Sequence, residues 1–156
     1  METGKLLVRR FEPERVKAMY DRILVAMDHS EPSYRALLAA RDLAALSKGE
    51  IWVLHLRERE AGTKGLSVMD ETAQDAHDLV TDSVEVLTRA GVKAQGEVRN
   101  TVYGYAGREI VADAHDHDAD LIVMGSRGRG DLAGIILGST AHKVIHLTDR
   151  PVLVVR

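Results

Sequence analysis

Apolar positions along this chain come in two kinds of run that take turns. Short blocks at residues 22–27, 51–56, 121–124 and 151–155 are nearly continuous in Val, Ile, Leu and Met. Blocks of that length without polar alternation predict strands buried on both faces. Residues 92–99 are more polar and carry Gly96, which suits an edge strand.

Between the blocks the apolar positions recur at helical spacing. The first such segment presents Ala36, Leu37, Ala40, Leu43 and Ala44, with Ser30 as its N-cap, Pro32 in its first turn and Lys48-Gly49 as its stop. The second, over 70–90, turns Ala73, Ala76, Val80 and Leu87 inward and stops at Gly91. The third, over 105–118, buries Ala106, Ile110, Val111 and Ala114, and the fourth covers 138–147. The charged, glycine-containing stretch 57–69 reads as a surface loop.

The order is β-α-β-α-β-α-β-α-β. Strict alternation with apolar strands means a parallel sheet covered by helices on both faces. Right-handed crossovers leave few topologies. The expectation is one domain over 19–156, an open five-stranded α/β sheet in the order 3-2-1-4-5. Residues 1–18, with Lys5, Arg9, Arg10, Arg15 and Lys17 around Pro13, form an N-terminal extension, and Met19 is a candidate natural start.

Composition changes this picture mainly by exclusion. A net charge of −3 argues against a dedicated nucleic-acid binder. The chain has no cysteine, which removes disulfides, thiolate metal sites and a cysteine nucleophile. No apolar run approaches a membrane span, and no signal-peptide core stands near the start, so the expected location is cytoplasmic.

The chemistry concentrates in residues 120–140. An apolar strand ends at Met124, and Gly125, Gly128 and Gly130 follow within six residues. Gly138-Ser139-Thr140 then opens a helix. Strand, glycine-rich loop and helix start together make an arrangement that holds phosphate, because glycine lets backbone N–H groups approach an anion and the helix start adds unpaired donors. It is not a P-loop, since no lysine lies between Gly125 and His142. Nor does it spell G-x-G-x-x-G, and it follows the fourth strand rather than the first. In the order 3-2-1-4-5 the strand order reverses between strands one and four, where ligands bind. Asp28 ends the first of these and Gly125 the other, so acid and glycine loop should face each other. Asp28 is placed to accept from ribose hydroxyls, or else to help cap the first helix.

Gly125, Gly128, Gly138 and Ser139 spell Gly-x2-Gly-x9-Gly-Ser. With Tyr20-Asp21-Arg22-Ile23-Leu24-Val25-Ala26-Met27-Asp28, Val53-Leu54-His55-Leu56, the Met124-Gly125 pair and Pro151-Val152-Leu153-Val154-Val155, the chain resembles the universal stress protein family, in its ATP-binding branch, over about residues 20–156. The resemblance implies a Rossmann-like fold of the adenine nucleotide alpha hydrolase kind and ATP as ligand, with Mg2+ or Mn2+. It implies that Asp28 contacts ribose or adenine beside the Ala26 and Met27 backbone, and that Leu56 meets the adenine. It implies that Gly125, after Met124, and Gly128 bring the loop to the phosphates while Gly138, Ser139 and Thr140 offer the helix start. Arg127 and Arg129 are candidates to pair phosphate oxygens, or plain exposed loop residues. The family pairs its last strand into dimers, which implies a homodimer through Val152–Val155 and an unidentified signalling partner.

The expected role is a nucleotide-dependent regulatory or stress-response protein in which ATP orders the loop 125–137, with slow hydrolysis or none. The alternatives are a member that binds no nucleotide and serves as an interaction module, or a slow ATPase. Other patterns carry less. His142 and His146, four apart, read as a surface pair, and His115-Asp116-His117-Asp118 as a solvated helix end. Arg129-Gly130-Asp131 and the short arginine–glycine tract read as chance.

Overall fold

The computed structural model describes residues 20–59, 71–128 and 136–156. The N-terminal extension 1–18, most of the loop expected at 57–69, and Arg129 with the centre of the glycine-rich loop lie outside the described residues.

Among the described residues, strands and helices alternate as β1 (Arg22–Met27), α1 (Glu31–Ser47), β2 (Glu50–Arg59), α2 (Ala73–Arg89), β3 (Lys93–Val102), α3 (Ala106–Asp116), β4 (Leu121–Gly125), α4 (Ser139–Leu147) and β5 (Val152–Val155). The five strands form one sheet in the order β3-β2-β1-β4-β5. Every neighbouring pair is parallel. The doubly wound fold read from the pattern is the fold observed.

Successive strand residues point to opposite faces, so each apolar block feeds two cores. Ile23, Val25, Val53 and Val123 pack with Ala36 and Leu37 of α1 and with Leu79 and Leu87 of α2. Leu24, Leu54, Ile122 and Met124 pack with Ile110 and Ala114 of α3 and with Ala141 and Val144 of α4. Gly96 lets β3 lie close to its neighbour: a Cβ there would stand 2.6 Å from the Val53 carbonyl oxygen.

Several boundaries differ from the sequence reading, each for a local reason. β2 continues to Arg59, past the loop start expected at 57, because its backbone keeps pairing with β3 as far as Arg59 opposite Val102. Arg57 is buried there, and its Nη2 donates to the Glu71 backbone oxygen at 2.9 Å. α2 starts later than expected. Thr72 is its N-cap and forms a capping box with Asp75, so Ala73 falls in the exposed first turn instead of the core.

The end of α3 is less solvated than expected. His117 stacks on Trp52 with ring centroids 3.8 Å apart. The Trp52 indole N–H donates to Asp113 Oδ2 at 2.8 Å, and Arg99 Nη2 donates to Asp113 Oδ1 at 2.5 Å. Burial pushes the Asp113 carboxyl up from its ordinary value, against the opposing pull of Arg99.

Candidate functional site

The carboxyl ends of β1 and β4 are adjacent, with Ala26 opposite Met124. The helices that follow them, α1 and α4, lie on opposite faces of the sheet, and a crevice of about 500 Å³ opens over the strand ends. That volume is ample for a nucleotide-sized ligand.

One wall is the turn from β1 into α1. Ser30 caps α1 by accepting from Ser33 N at 3.3 Å. Asp28 supports the cap, because its Oδ1 accepts from Ser30 N at 2.8 Å and from the Ser30 hydroxyl. Ser33 Oγ in turn donates to the Asp28 backbone oxygen at 2.5 Å. Asp28 therefore does take part in capping the first helix. Only one carboxylate oxygen is used this way. The other, Oδ2, faces Gly128 across the crevice, 3.0 Å from where a Cβ on that residue would sit.

The opposite wall is the glycine-rich segment. At Gly125 the end of β4 presses on the start of α1: a Cβ would stand 2.8 Å from Ser33 N and 2.9 Å from Pro32 C, both backbone atoms. Beyond it the chain is tied down, with Ser126 N donating to Val155 O and Gly138 N to Ser126 O, each at 2.6 Å. This second bond closes the base of the glycine-rich stretch and brings Gly138, the N-cap of α4, beside the end of β4. The Ser30 hydroxyl also reaches the Arg127 carbonyl at 3.3 Å.

α4 starts differently from α1 and α2. Its N-cap is a glycine, no side chain caps it, and no acidic residue stands in its first turn. A helix start leaves backbone N–H groups without intrahelical partners and carries partial positive charge. Ser139, Thr140 and Ala141 line the crevice there. The arrangement offers hydrogen-bond donors and a favourable field to an anion, with an acid 28 residue positions into the chain on the facing wall. That acid is Asp28.

The structure brings together most of the positions expected from the sequence. Ala26, Met27, Asp28 and Leu56 line one side; Met124, Gly125, Arg127 and Gly128 line the loop side; Gly138, Ser139 and Thr140 line the helix start. Arg129 lies outside the described residues. Other lining residues were missed. Tyr103 and Gly104, at the entry to α3, and Lys143, one turn into α4, belong to the crevice. Lys143 Nζ donates to the Gly104 oxygen at 2.8 Å. A lysine one turn after Gly138-Ser139-Thr140 was a visible signal, since positions 139 and 143 share a helix face. His29, His55 and Glu71 also line the crevice. His55 stood inside an apolar strand block, and nothing in the spacing linked it to Glu71.

The amino ends of the strands carry a second cluster of charged groups. There the charges satisfy one another. Asp120 Oδ2 accepts from the backbone N–H groups of Asp21 and Arg22 at 3.0 and 3.3 Å. Arg22 reaches Asp118 at 3.2 Å and Glu50 at 3.8 Å, and Lys93 Nζ donates to Glu50 at 2.8 Å. The Lys93 hydrogen bond holds the Glu50 carboxyl below its ordinary value. Burial raises that of Asp120 despite the backbone donors.

Fold and crevice define an open α/β protein with a cleft at the reversal of strand order. The sequence profile of the Universal stress protein family matches residues 19–156, and the chain belongs to that family. It is 33% identical to universal stress protein YxiE of Bacillus subtilis, over 88% of this chain and 100% of that one. It is 30% identical to universal stress protein MJ0577 of Methanocaldococcus jannaschii, whose structure superimposes with a TM-score of 0.74 over 88% of this chain and 96% of that one. The universal stress protein of Archaeoglobus fulgidus in complex with dAMP aligns with a TM-score of 0.68 at 25% identity, covering 88% of this chain and 99% of that one. No helix among the described residues is long and apolar enough to cross a membrane.

Proposed function

We propose that this universal stress protein binds ATP in the crevice between β1 and β4 and acts as a nucleotide-dependent regulatory protein. The observation that carries the reading is the uncapped start of α4 held beside Gly125 and Gly128, with Asp28 on the facing wall. The phosphates lie against Gly125, Gly128 and the N–H groups at Gly138, Ser139 and Thr140, where the donors and the helix field suit an anion. Arg127 adds charge at the rim, and Arg129 is a further candidate from the sequence alone. The nucleoside lies toward Asp28, whose free Oδ2 accepts from ribose, and toward Ala26, Met27, Leu56 and Met124. A relative of this fold that carries dAMP supports an adenine nucleotide as the ligand class. Mg2+ or Mn2+ accompanies the phosphates.

Hydrolysis is slow in this reading. Transfer of the terminal phosphoryl group needs a positioned nucleophile and concentrated positive charge. Lys143, the lysine of the crevice, spends a donor on the Gly104 oxygen, and Asp28 lies at the nucleoside end. The chain pairs as a homodimer through β5, which stands at the sheet edge with Val152–Val155 half-buried.

The test is to denature purified protein and identify what it releases. An adenine nucleotide approaching one per chain is the expected result. No retained nucleotide, with no uptake of added ATP, would turn the reading toward an interaction module. Turnover of about one per second or faster, the range of ordinary phosphoryl-transfer enzymes, would make the protein an ATPase instead.

A further inference from the structure

Three side chains on the β1–β2 side of the crevice bring two imidazole nitrogens to one carboxylate oxygen. His55 is buried at the end of β2, and its Nδ1 lies 2.8 Å from the Met27 carbonyl oxygen. A carbonyl oxygen only accepts, so Nδ1 carries the proton. Neutral imidazole then presents a lone pair at Nε2. That lone pair points at Glu71 Oε1, 2.7 Å away, and the same oxygen stands 2.8 Å from His29 Nε2. His29 satisfies that oxygen as its neutral Nε2–H tautomer, whereas the His55 lone pair faces an acceptor, a contact that is favourable only with a proton or a metal ion between the two.

We propose that His29, His55 and Glu71 form a binding site for a divalent transition ion of the zinc class. The three ligand atoms lie within 4.8 Å of one another. Tetrahedral ligands about 2.0–2.1 Å from zinc stand about 3.3 Å apart, a spacing between the 2.7 and 2.8 Å contacts to Oε1 and the 4.8 Å limit of the cluster. The donor set is two imidazoles and one carboxylate, which favours zinc and its first-row neighbours over Mg2+ or Ca2+. The supporting contacts are those of a built site. The Met27 carbonyl fixes the His55 ring, as the outer partner of a metal-bound histidine does. Arg57 donates to the Glu71 backbone oxygen and stands 4.0 Å from Oε2, which leaves Oε1 turned to the rings. Glu71 and His55 are almost fully enclosed, whereas the His29 side chain is 30% exposed at the crevice and gives the ion a way in. Three protein ligands leave a fourth position open to water or to a ligand donor.

This site is separate from any cation that travels with nucleotide phosphates, and its test contains no nucleotide. Full-length protein is stripped with a chelator and titrated with zinc chloride against a chromophoric competitor; a second sample is titrated with cobalt(II). The expected result is one zinc per chain and a visible cobalt absorption of four-coordinate intensity. His29→Asn and Glu71→Gln, each checked for folding by circular dichroism, are expected to weaken zinc by about 100-fold or more, beyond the 10–100-fold typical of losing an outer partner. His142→Asn with His146→Asn removes the exposed histidine pair and leaves the titration unchanged. Should the buried-site variants not fold, the wild-type cobalt spectrum still decides. Absence of zinc uptake by folded wild type, uptake undiminished in both site variants, or uptake lost with the His142 and His146 pair would overturn the proposal, and the cluster would then hold protons only. Failure of nucleotide binding leaves this titration readable, and the reverse holds too.

Discussion

The two ends of the sheet are lined with similar residue types and come to opposite arrangements. At the amino ends of the strands, Asp120 accepts two backbone N–H groups, Arg22 bridges Asp118 and Glu50, and Lys93 takes the other Glu50 oxygen. Charge there is consumed internally. At the carboxyl ends, α4 begins on a glycine with no side-chain cap, and Asp28 spends one oxygen on α1 while the other faces Gly128. A cluster whose charged groups satisfy one another has little left over for a ligand. A helix start left without a side-chain cap beside glycines has N–H donors to spare for an anion. The contrast separates site from surface better than residue type does, since both ends hold aspartates, arginines and lysines.

The largest expected effect comes from filling the open end. Gly128→Glu places a carboxylate where the Cβ already stands 3.0 Å from Asp28 Oδ2. Set against phosphate in the filled crevice, this like charge costs several kcal/mol of binding. ATP affinity should fall on the order of 100-fold or more by calorimetric titration, with little change in melting temperature because the residue is exposed. An unchanged affinity would mean that the contrast between the two ends has no bearing on binding.

Next is Gly125→Ala, which tests the packing under the site. Its Cβ would meet backbone atoms of Pro32 and Ser33, which cannot swing aside as a side-chain tip would. Overpacking of this kind costs about 1–3 kcal/mol. A urea midpoint equal to that of wild type would show that α1 does not rest on the end of β4 as described.

The smallest effect lies at the amino end and is read as a pH dependence. Burial raises the Asp120 carboxyl above its ordinary value of 3.8. A raised carboxyl favours the protonated folded state, so its contribution is full below 3.8 and is lost as pH climbs through the raised value. Glu50, held low by Lys93, acts with the opposite sign and loses its contribution as pH falls through its lowered value. The difference between wild type and Asp120→Asn isolates the first. Urea midpoints across the acid range should show wild type losing stability relative to the variant as pH rises, with ATP affinity the same in both. A variant that lost ATP affinity would make the amino end part of the site.

How much of this was legible beforehand follows from where the signals lie in the chain. Strand order and helix count came through because the apolar blocks are short and continuous and the helical segments periodic. The crevice followed from topology once Asp28 and Gly125 were placed at neighbouring strand ends. Contacts between distant segments were not legible. Arg57 to Arg59 look like loop by composition, yet the backbone of β3 extends the strand through them, and Arg57 turns to Glu71. His117 looks like a solvated end but covers Trp52. The convergence of His29, His55 and Glu71 depends on where α2 begins relative to β2, and no local spacing encodes that. Asp28 reads in the sequence as either ribose acceptor or helix cap; the structure shows the cap, which uses one of its two oxygens.

The most direct test of the open-end account is an ATP titration of full-length protein freed of any retained nucleotide, followed by isothermal calorimetry with magnesium present. The account predicts saturable binding of one ATP per chain. Heats no different from dilution, in protein whose circular dichroism matches an α/β fold, would contradict it.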